Sequence, residues 1–182
     1  MNTKFLSAAV QDRHIGAIAS SSRVLVKKVA AILQNRKLNV VVEYGPGDGV
    51  MTKELLKSLS INGRLFVIES NPSFVKTLKE IKDERLIVIQ GKAQSAKGLL
   101  KEHGVENAEL VISSVPFSWF TSRERQKLME DSFNILKVGG DIIFFHQYVP
   151  VAYFDLKKNF KNPRIHFVAR NLFPCFIARA VK

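Results

Sequence analysis

The chain has 182 residues, 46% of them hydrophobic and 24% charged, enough for one domain with a buried core. No apolar run approaches the roughly 20 residues of a membrane-spanning helix, and a lone cysteine, Cys175, excludes an internal disulfide and a cysteine-based metal cluster. Net charge is +12, with +6 in residues 1–39, +6 in 151–182 and a balanced 40–150; this suggests an anionic partner, nucleic acid or a phospholipid surface, against the plainer alternative of scattered surface lysines.

Residues 1–38 read as an N-terminal helical extension to a single domain spanning 1–182. Lys4, Asp12 and Arg13 interrupt any signal-peptide core, so a cytoplasmic location is expected. Phe5, Leu6, Ala9 and Val10 form a short apolar stripe edged by Lys4 and Arg13, suited to weak contact with an anionic membrane. Residues 22–33 predict an amphipathic helix, with Leu25, Val29, Ile32 and Leu33 facing one way and Lys27 and Lys28 the other.

From Val40 the chain alternates. Strands are predicted at 40–44, 64–69, 86–90, 109–115 and 141–148, each an apolar run suited to a sheet covered on both faces. Helices are predicted at 51–59, at 72–81 with Asn71 as cap and Pro72 in the first turn, and at 121–136 before Gly139-Gly140. A helix over 150–160 and a hairpin of 164–169 with 176–180 close the chain. This rhythm predicts an α/β domain with a largely parallel sheet.

The first strand runs into Glu43-Tyr44-Gly45-Pro46-Gly47-Asp48-Gly49. Glycines there let backbone approach a ligand closely, because no Cβ intervenes. A phosphate-binding loop would need Gly-Lys-Ser/Thr, which is absent; a dinucleotide fingerprint would need its third glycine at position 50, which is Val50. Carboxylates at 43 and 48 would repel a pyrophosphate at a helix N-terminus. They suit a ligand carrying a sulfonium and an ammonium, and Glu69, at the end of the second strand, can accept two ribose hydroxyls. S-adenosylmethionine (SAM) meets these requirements.

Glu-x-Gly-x-Gly-x-Gly followed by an acid at the next strand's end resembles class I SAM-dependent methyltransferases. The resemblance implies a three-layer Rossmann-like sandwich around a seven-stranded, mostly parallel sheet whose last strand is antiparallel. It also implies that Glu43 lies near the methionine end and that Gly45, Pro46, Gly47 and Gly49 line the cofactor's path. Glu69 with Ser70 would hold the ribose, and Ser113 would lie beside the cofactor. Many relatives have Gly-Asp after the third strand, where this chain has Gly91-Lys92-Ala93-Gln94, so the adenine contact is expected from the backbone of Ala93 or the side chain of Gln94.

Residues 113–120, SSVPFSWF, follow the fourth strand, where that class places its acceptor. Ribosomal RNA adenine dimethylases share a similar glycine turn but carry an amide or carboxylate where Ser114 stands, and they continue into a helical RNA-binding domain not found in this sequence. Small bacterial phospholipid N-methyltransferases are similar at three separated places. These are Ile15-Gly16-Ala17-Ile18-Ala19-Ser20-Ser21-Ser22, the glycine turn with Ser113-Ser114-Val115-Pro116-Phe117, and Ala169-Arg170-Asn171-Leu172-Phe173-Pro174. That likeness implies methylation of phosphatidylethanolamine-type amines by a peripherally membrane-associated enzyme. RNA methylation is the alternative, and a SAM-binding protein without turnover is a third.

By the same likeness, Ser114, Pro116, Phe117, His146 and Tyr148 would form the catalytic pocket. Phe117, Trp119, Phe120 and Tyr148 offer faces for a methylated ammonium, although ordinary core packing would equally account for them. Arg123 or Arg170 would meet the lipid phosphate. His14, His103, His146 and His166 lack metal-ligand spacing, so no metal is expected.

Overall fold

The computed structural model describes residues 24–115, 120–146, 149–168 and 175–182. Helix α1 (24–33) buries Leu25, Val29 and Leu33 and leaves Lys27 and Lys28 in water, as its spacing predicts. There follow β1 (Leu38–Tyr44), α2 (Val50–Lys57), β2 (Leu59–Glu69), α3 (Pro72–Lys79), β3 (Leu86–Gln90), a 3-10 turn (Ala93–Ser95) and α4 (Ala96–Glu102). The second half contains β4 (Ala108–Ser113), α5 (Ser122–Ile135), β5 (Leu136–His146), α6 (Val149–Asn159), β6 (Lys161–Val168) and β7 (Cys175–Val181).

The seven strands lie in the order β3-β2-β1-β4-β5-β7-β6, with β7 antiparallel to both neighbours and the other pairings parallel. The seven-stranded sheet with an antiparallel last strand, including its closing hairpin, is therefore present as expected. Alternate residues of each strand feed two cores. Val42, Tyr44, Val111 and Phe144 pack with Leu100, Leu128 and Leu156 of α4, α5 and α6. Val41, Leu65, Leu110 and Ile143 pack with Leu25, Leu55 and Leu78 of α1, α2 and α3. Side chains that point to opposite faces of a pleated sheet, each face covered, explain why these strands read as unbroken apolar runs.

Boundaries differ from the expectation in three places. Helix α2 stops at Lys57, and Leu59, the last residue of the predicted helix, instead opens β2 opposite Leu38. Gly63 permits the irregular stretch that follows, since a Cβ there would lie 2.6 Å from the Leu38 carbonyl oxygen. Strand β5 begins at Leu136, directly after α5, and absorbs Gly139 (φ +77°) as an irregularity between the Ala108 and Leu110 pairings. Helix α4 went unpredicted: seven residues with an internal glycine, Gly98, show too little periodicity to stand out.

Two devices fix the ends of elements near the site. Asn71 caps α3 by accepting a bond from the Ser73 N–H (2.9 Å), with Pro72 in the first turn. Thr121 and Glu124 close a reciprocal capping box on α5, worth about 1 kcal/mol. At the opposite end of the sheet, buried Asp141 bridges Arg36 after α1 and Arg179 of β7 (2.6 Å), so both ends of the described chain are tied to β5. Among the described residues no helix is long and apolar enough to cross a membrane.

Candidate active site

Because β1, β2, β3, β4 and β5 are parallel, their C-terminal ends and the turns after them share one edge, where an open α/β sheet binds its ligands. The glycine turn sits at the centre. Gly45, Gly47 and Gly49 all have left-handed backbones, with φ of +64°, +57° and +80°. Gly45 donates its N–H to the Ile68 carbonyl (2.9 Å) and packs so tightly on Val115 that a Cβ would fall 2.6 Å from Cγ2. Buried Pro46 accepts the Gly49 N–H (3.0 Å), which closes the turn before α2. Gly47 is different: a Cβ there would meet nothing within 4 Å among the described residues, so its backbone borders open space among them.

Two carboxylates lie close to the turn, Glu69 against the Gly47 backbone and Glu43 at the end of β1. Glu43 is fully buried. The hydroxyl of Thr52, in the first full turn of α2, donates to its Oε2 (2.6 Å), while its Oε1 has no hydrogen-bond partner among the described residues. Burial pushes the Glu43 carboxyl up to about 8; the Thr52 bond opposes this, and the nearby charges of Glu69 and Asp48 add to it. Glu69 accepts the Gly47 N–H (3.1 Å) through one oxygen and the Asn71 N–H (2.8 Å) through the other. Asp48 lies exposed on the turn and accepts the Val50 N–H (3.3 Å). Ser70, also exposed, stands 3.5 Å from the Glu69 carboxylate.

The end of β4 is pinned beside the turn by the Ser114 N–H donating to the Tyr44 carbonyl (2.9 Å). Ser113 is buried with a hydroxyl unpartnered among the described residues, and Ser114 is half-buried. Across the edge, buried Ala93 heads the 3-10 turn after β3. The Gln94 carboxamide turns toward Glu124 at the start of α5, 3.5 Å away.

The structure thus brings together Glu43, Gly45, Pro46, Gly47, Gly49, Glu69, Ser70, Ser113 and Ser114, with Ala93 and Gln94 on the β3 side. Pro116, Phe117, Trp119, Tyr148 and Arg170 lie outside the described residues, as do the motif at 15–22, the apolar stripe at 5–10 and residues 169–174; of His146 only the backbone, at the end of β5, is described. Phe120 is buried, which favours its packing role. Thr52 is the site residue that motif reading missed. Its signal is its place three residues beyond Gly49, where an incipient helix turns a side chain back onto β1.

These features fit a cationic adenosyl donor. The unpartnered Glu43 Oε1 and Ser113 Oγ are buried acceptors awaiting a donor group, since such atoms are costly when left unsatisfied. The carboxylate set suits an ammonium, a sulfonium and a ribose, and the space at Gly47 leaves a path between them.

Comparison with known proteins agrees. Residues 20–118, over half of the chain, match the sequence model of the ribosomal RNA adenine dimethylase family. An ornithine lipid N-methyltransferase of Singulisphaera acidiphila is 29% identical over 68% of this chain and 63% of its own length. A ribosomal RNA small subunit methyltransferase A of Mycoplasma capricolum is 30% identical over 51% of this chain and 35% of its own. The chain thus spans less than two thirds of either curated relative. In fold, it is similar to a precorrin-6y C5,15-methyltransferase of Geobacter metallireducens, with a TM-score of 0.67, 17% identity and 88% of each chain covered.

Proposed function

We propose, for a chain that belongs to the ribosomal RNA adenine dimethylase family and is a SAM-dependent methyltransferase, that its acceptor is the amine of a phosphatidylethanolamine-type phospholipid at a membrane surface. The observation that carries this reading is that the likeness to a lipid amine methyltransferase runs over more of the chain than the likeness to an RNA methyltransferase. Support also comes from Ser114, which offers a hydroxyl where adenine methylation would call for an amide or carboxylate grip.

When bound, SAM supplies a methyl made electrophilic by its sulfonium. The residues of this chain do the rest. Glu43 and Glu69 hold the two ends of the donor, and the glycine turn lets it lie against backbone. Ser113 would lie beside the donor, and Ser114 would position the incoming amine, which must be unprotonated to attack. His146 and Tyr148, at and after the end of β5, are proposed to take the amine's proton. Positioning contributes most of the acceleration, since no covalent intermediate is required of the protein.

RNA methylation is the second reading, favoured by the family model and the cationic chain ends. An assay with radiolabelled SAM decides between them, offering phosphatidylethanolamine vesicles, ornithine-lipid vesicles and undermethylated ribosomal RNA in parallel. Label in phosphatidylethanolamine is expected. Label in ornithine lipid alone would move the acceptor to another lipid amine, and label confined to RNA would overturn the proposal.

A further inference from the structure

Strand β6 is the outermost strand of the sheet and α6 lies over it on the face it shares with α5. Residues 149–168 contain four cations, Lys157, Lys158, Lys161 and Arg164, all exposed. The acid among them, Asp155, is buried and bound to Arg125 (2.8 Å), so it leaves those cations unneutralised. Set among them are two large exposed apolar side chains: Phe154 is 61% exposed and Phe167 54%. They are not isolated. Phe167 packs on Phe176 of β7 with ring centres 5.0 Å apart, and Phe154 on Tyr153 at 5.8 Å. Lys157 lies 5.8 Å over the Tyr153 ring, and a groove of about 580 Å³ between α6 and β6 is lined by Tyr153, Lys157, Lys161 and Arg164.

The patch has a direction. Strand β6 runs parallel to β4 and β5, so Phe167, near its C-terminal end, emerges at the sheet edge that carries Ser113 and Ser114. Helix α6 starts from that same edge, and Phe154 lies in its first half, with Lys157 a turn further on. Aromatic surface therefore borders the acceptor edge and cationic surface lies behind it.

We infer that the α6–β6 edge is a docking surface for an anionic bilayer, with Phe154 and Phe167 entering the headgroup layer and Lys157, Lys161 and Arg164 meeting lipid phosphates. This deepens the lipid-amine reading and rests on it for its purpose, though its evidence is separate. Phenylalanines have no polar handle and gain only by leaving water. A bilayer interface offers that over the whole patch, whereas nucleic acid offers it only at unstacked bases. Docked this way, the α6–β6 flank lies along the membrane with its Phe167 end beside the acceptor edge, so an amine headgroup at that end is close to Ser114.

The test uses the full chain and vesicles of mixed phosphatidylglycerol and phosphatidylcholine, with binding read by co-sedimentation. A Lys157→Gln, Lys161→Gln, Arg164→Gln variant is expected to bind roughly a hundredfold more weakly, three cations having been removed from an anionic surface. A Phe154→Ser, Phe167→Ser variant is expected to lose about tenfold through its lost apolar burial. Both should keep their calorimetric affinity for SAM, because the substitutions lie outside the donor crevice. Wild-type binding to pure phosphatidylcholine should be weak. Undiminished vesicle binding by both variants overturns the inference, as does loss of binding to an RNA oligonucleotide with vesicle binding intact. Weakened vesicle binding combined with methyl transfer to RNA alone would uphold the surface and overturn the lipid-amine acceptor.

Discussion

Gly47→Val is expected to fold and yet to lose about a hundredfold or more of its affinity for SAM, about 3 kcal/mol. The two effects separate because of where the new side chain goes. Among the described residues a Cβ at Gly47 meets nothing within 4 Å, so no described core atom is displaced. The backbone, at φ +57°, is left-handed, and a β-branched residue is strained there by about 1–3 kcal/mol, which lowers the melting temperature without dismantling the sheet. What the branched side chain does enter is the space beside the Gly47 backbone, next to the Glu69 carboxylate that accepts the Gly47 N–H. Gly47→Ala should lie between wild type and valine in affinity. The contrasting site is Gly45: there a Cβ would come within 2.6 Å of Val115, so substitution disturbs the end of β4 and the fold itself. Calorimetry with thermal melts measures both quantities. Donor affinity unchanged in Gly47→Val would remove the glycine turn from the site.

The second large effect concerns Glu43. With its carboxyl pushed up to about 8, the unliganded protein holds a proton there at pH 7. A donor carrying an ammonium and a sulfonium favours the ionised form, so binding expels the proton. Affinity for SAM is therefore expected to rise between pH 6 and 8, by up to about tenfold per pH unit. At fixed pH, the binding enthalpy should vary with the ionisation enthalpy of the buffer. In Glu43→Gln both dependences should vanish, leaving an affinity that is low and flat. Stability moves the other way. A carboxyl near 4.5 in the unfolded chain and near 8 in the fold binds more protons when folded. The unliganded wild type should thus lose stability as pH rises from about 5 to 8, by of the order of 1 kcal/mol per pH unit, relative to the glutamine variant. A wild type and variant with parallel pH profiles would show that Glu43 ionises without reference to the donor.

Much of this crevice was legible in the residues. The glycine spacing after a β-branched run, an acid just before it and a second acid at the end of the next strand are local features. Their placement follows once β1 and β2 pair in parallel. Asn71-Pro72 announced the start of α3 because capping is also local chemistry. What stayed hidden depended on packing between distant elements. Thr52 looks like any helical threonine until α2 folds back on β1 and its hydroxyl meets Glu43. Gln94, a plausible adenine contact by its position after β3, turns instead toward Glu124, thirty residues later. Helix α4 is too short, and too interrupted by Gly98, to show a period; its burial of Leu100 comes from the sheet beneath it. The cationic C-terminal segment was visible as composition, but its union with exposed Phe154 and Phe167 required β6 to take the outer place in the sheet.

The claim on which the rest depends is that Glu43 and Glu69 grip opposite ends of a positively charged adenosyl donor lying along the glycine turn. A crystal structure of the chain with SAM bound tests it most directly. The account predicts ribose hydroxyls on the Glu69 carboxylate and the amino-acid end on the side of Glu43, with the methyl directed toward Ser113 and Ser114. Cofactor bound elsewhere along the sheet edge, with the Glu69 carboxylate still engaged only by the Gly47 and Asn71 N–H groups, would contradict it.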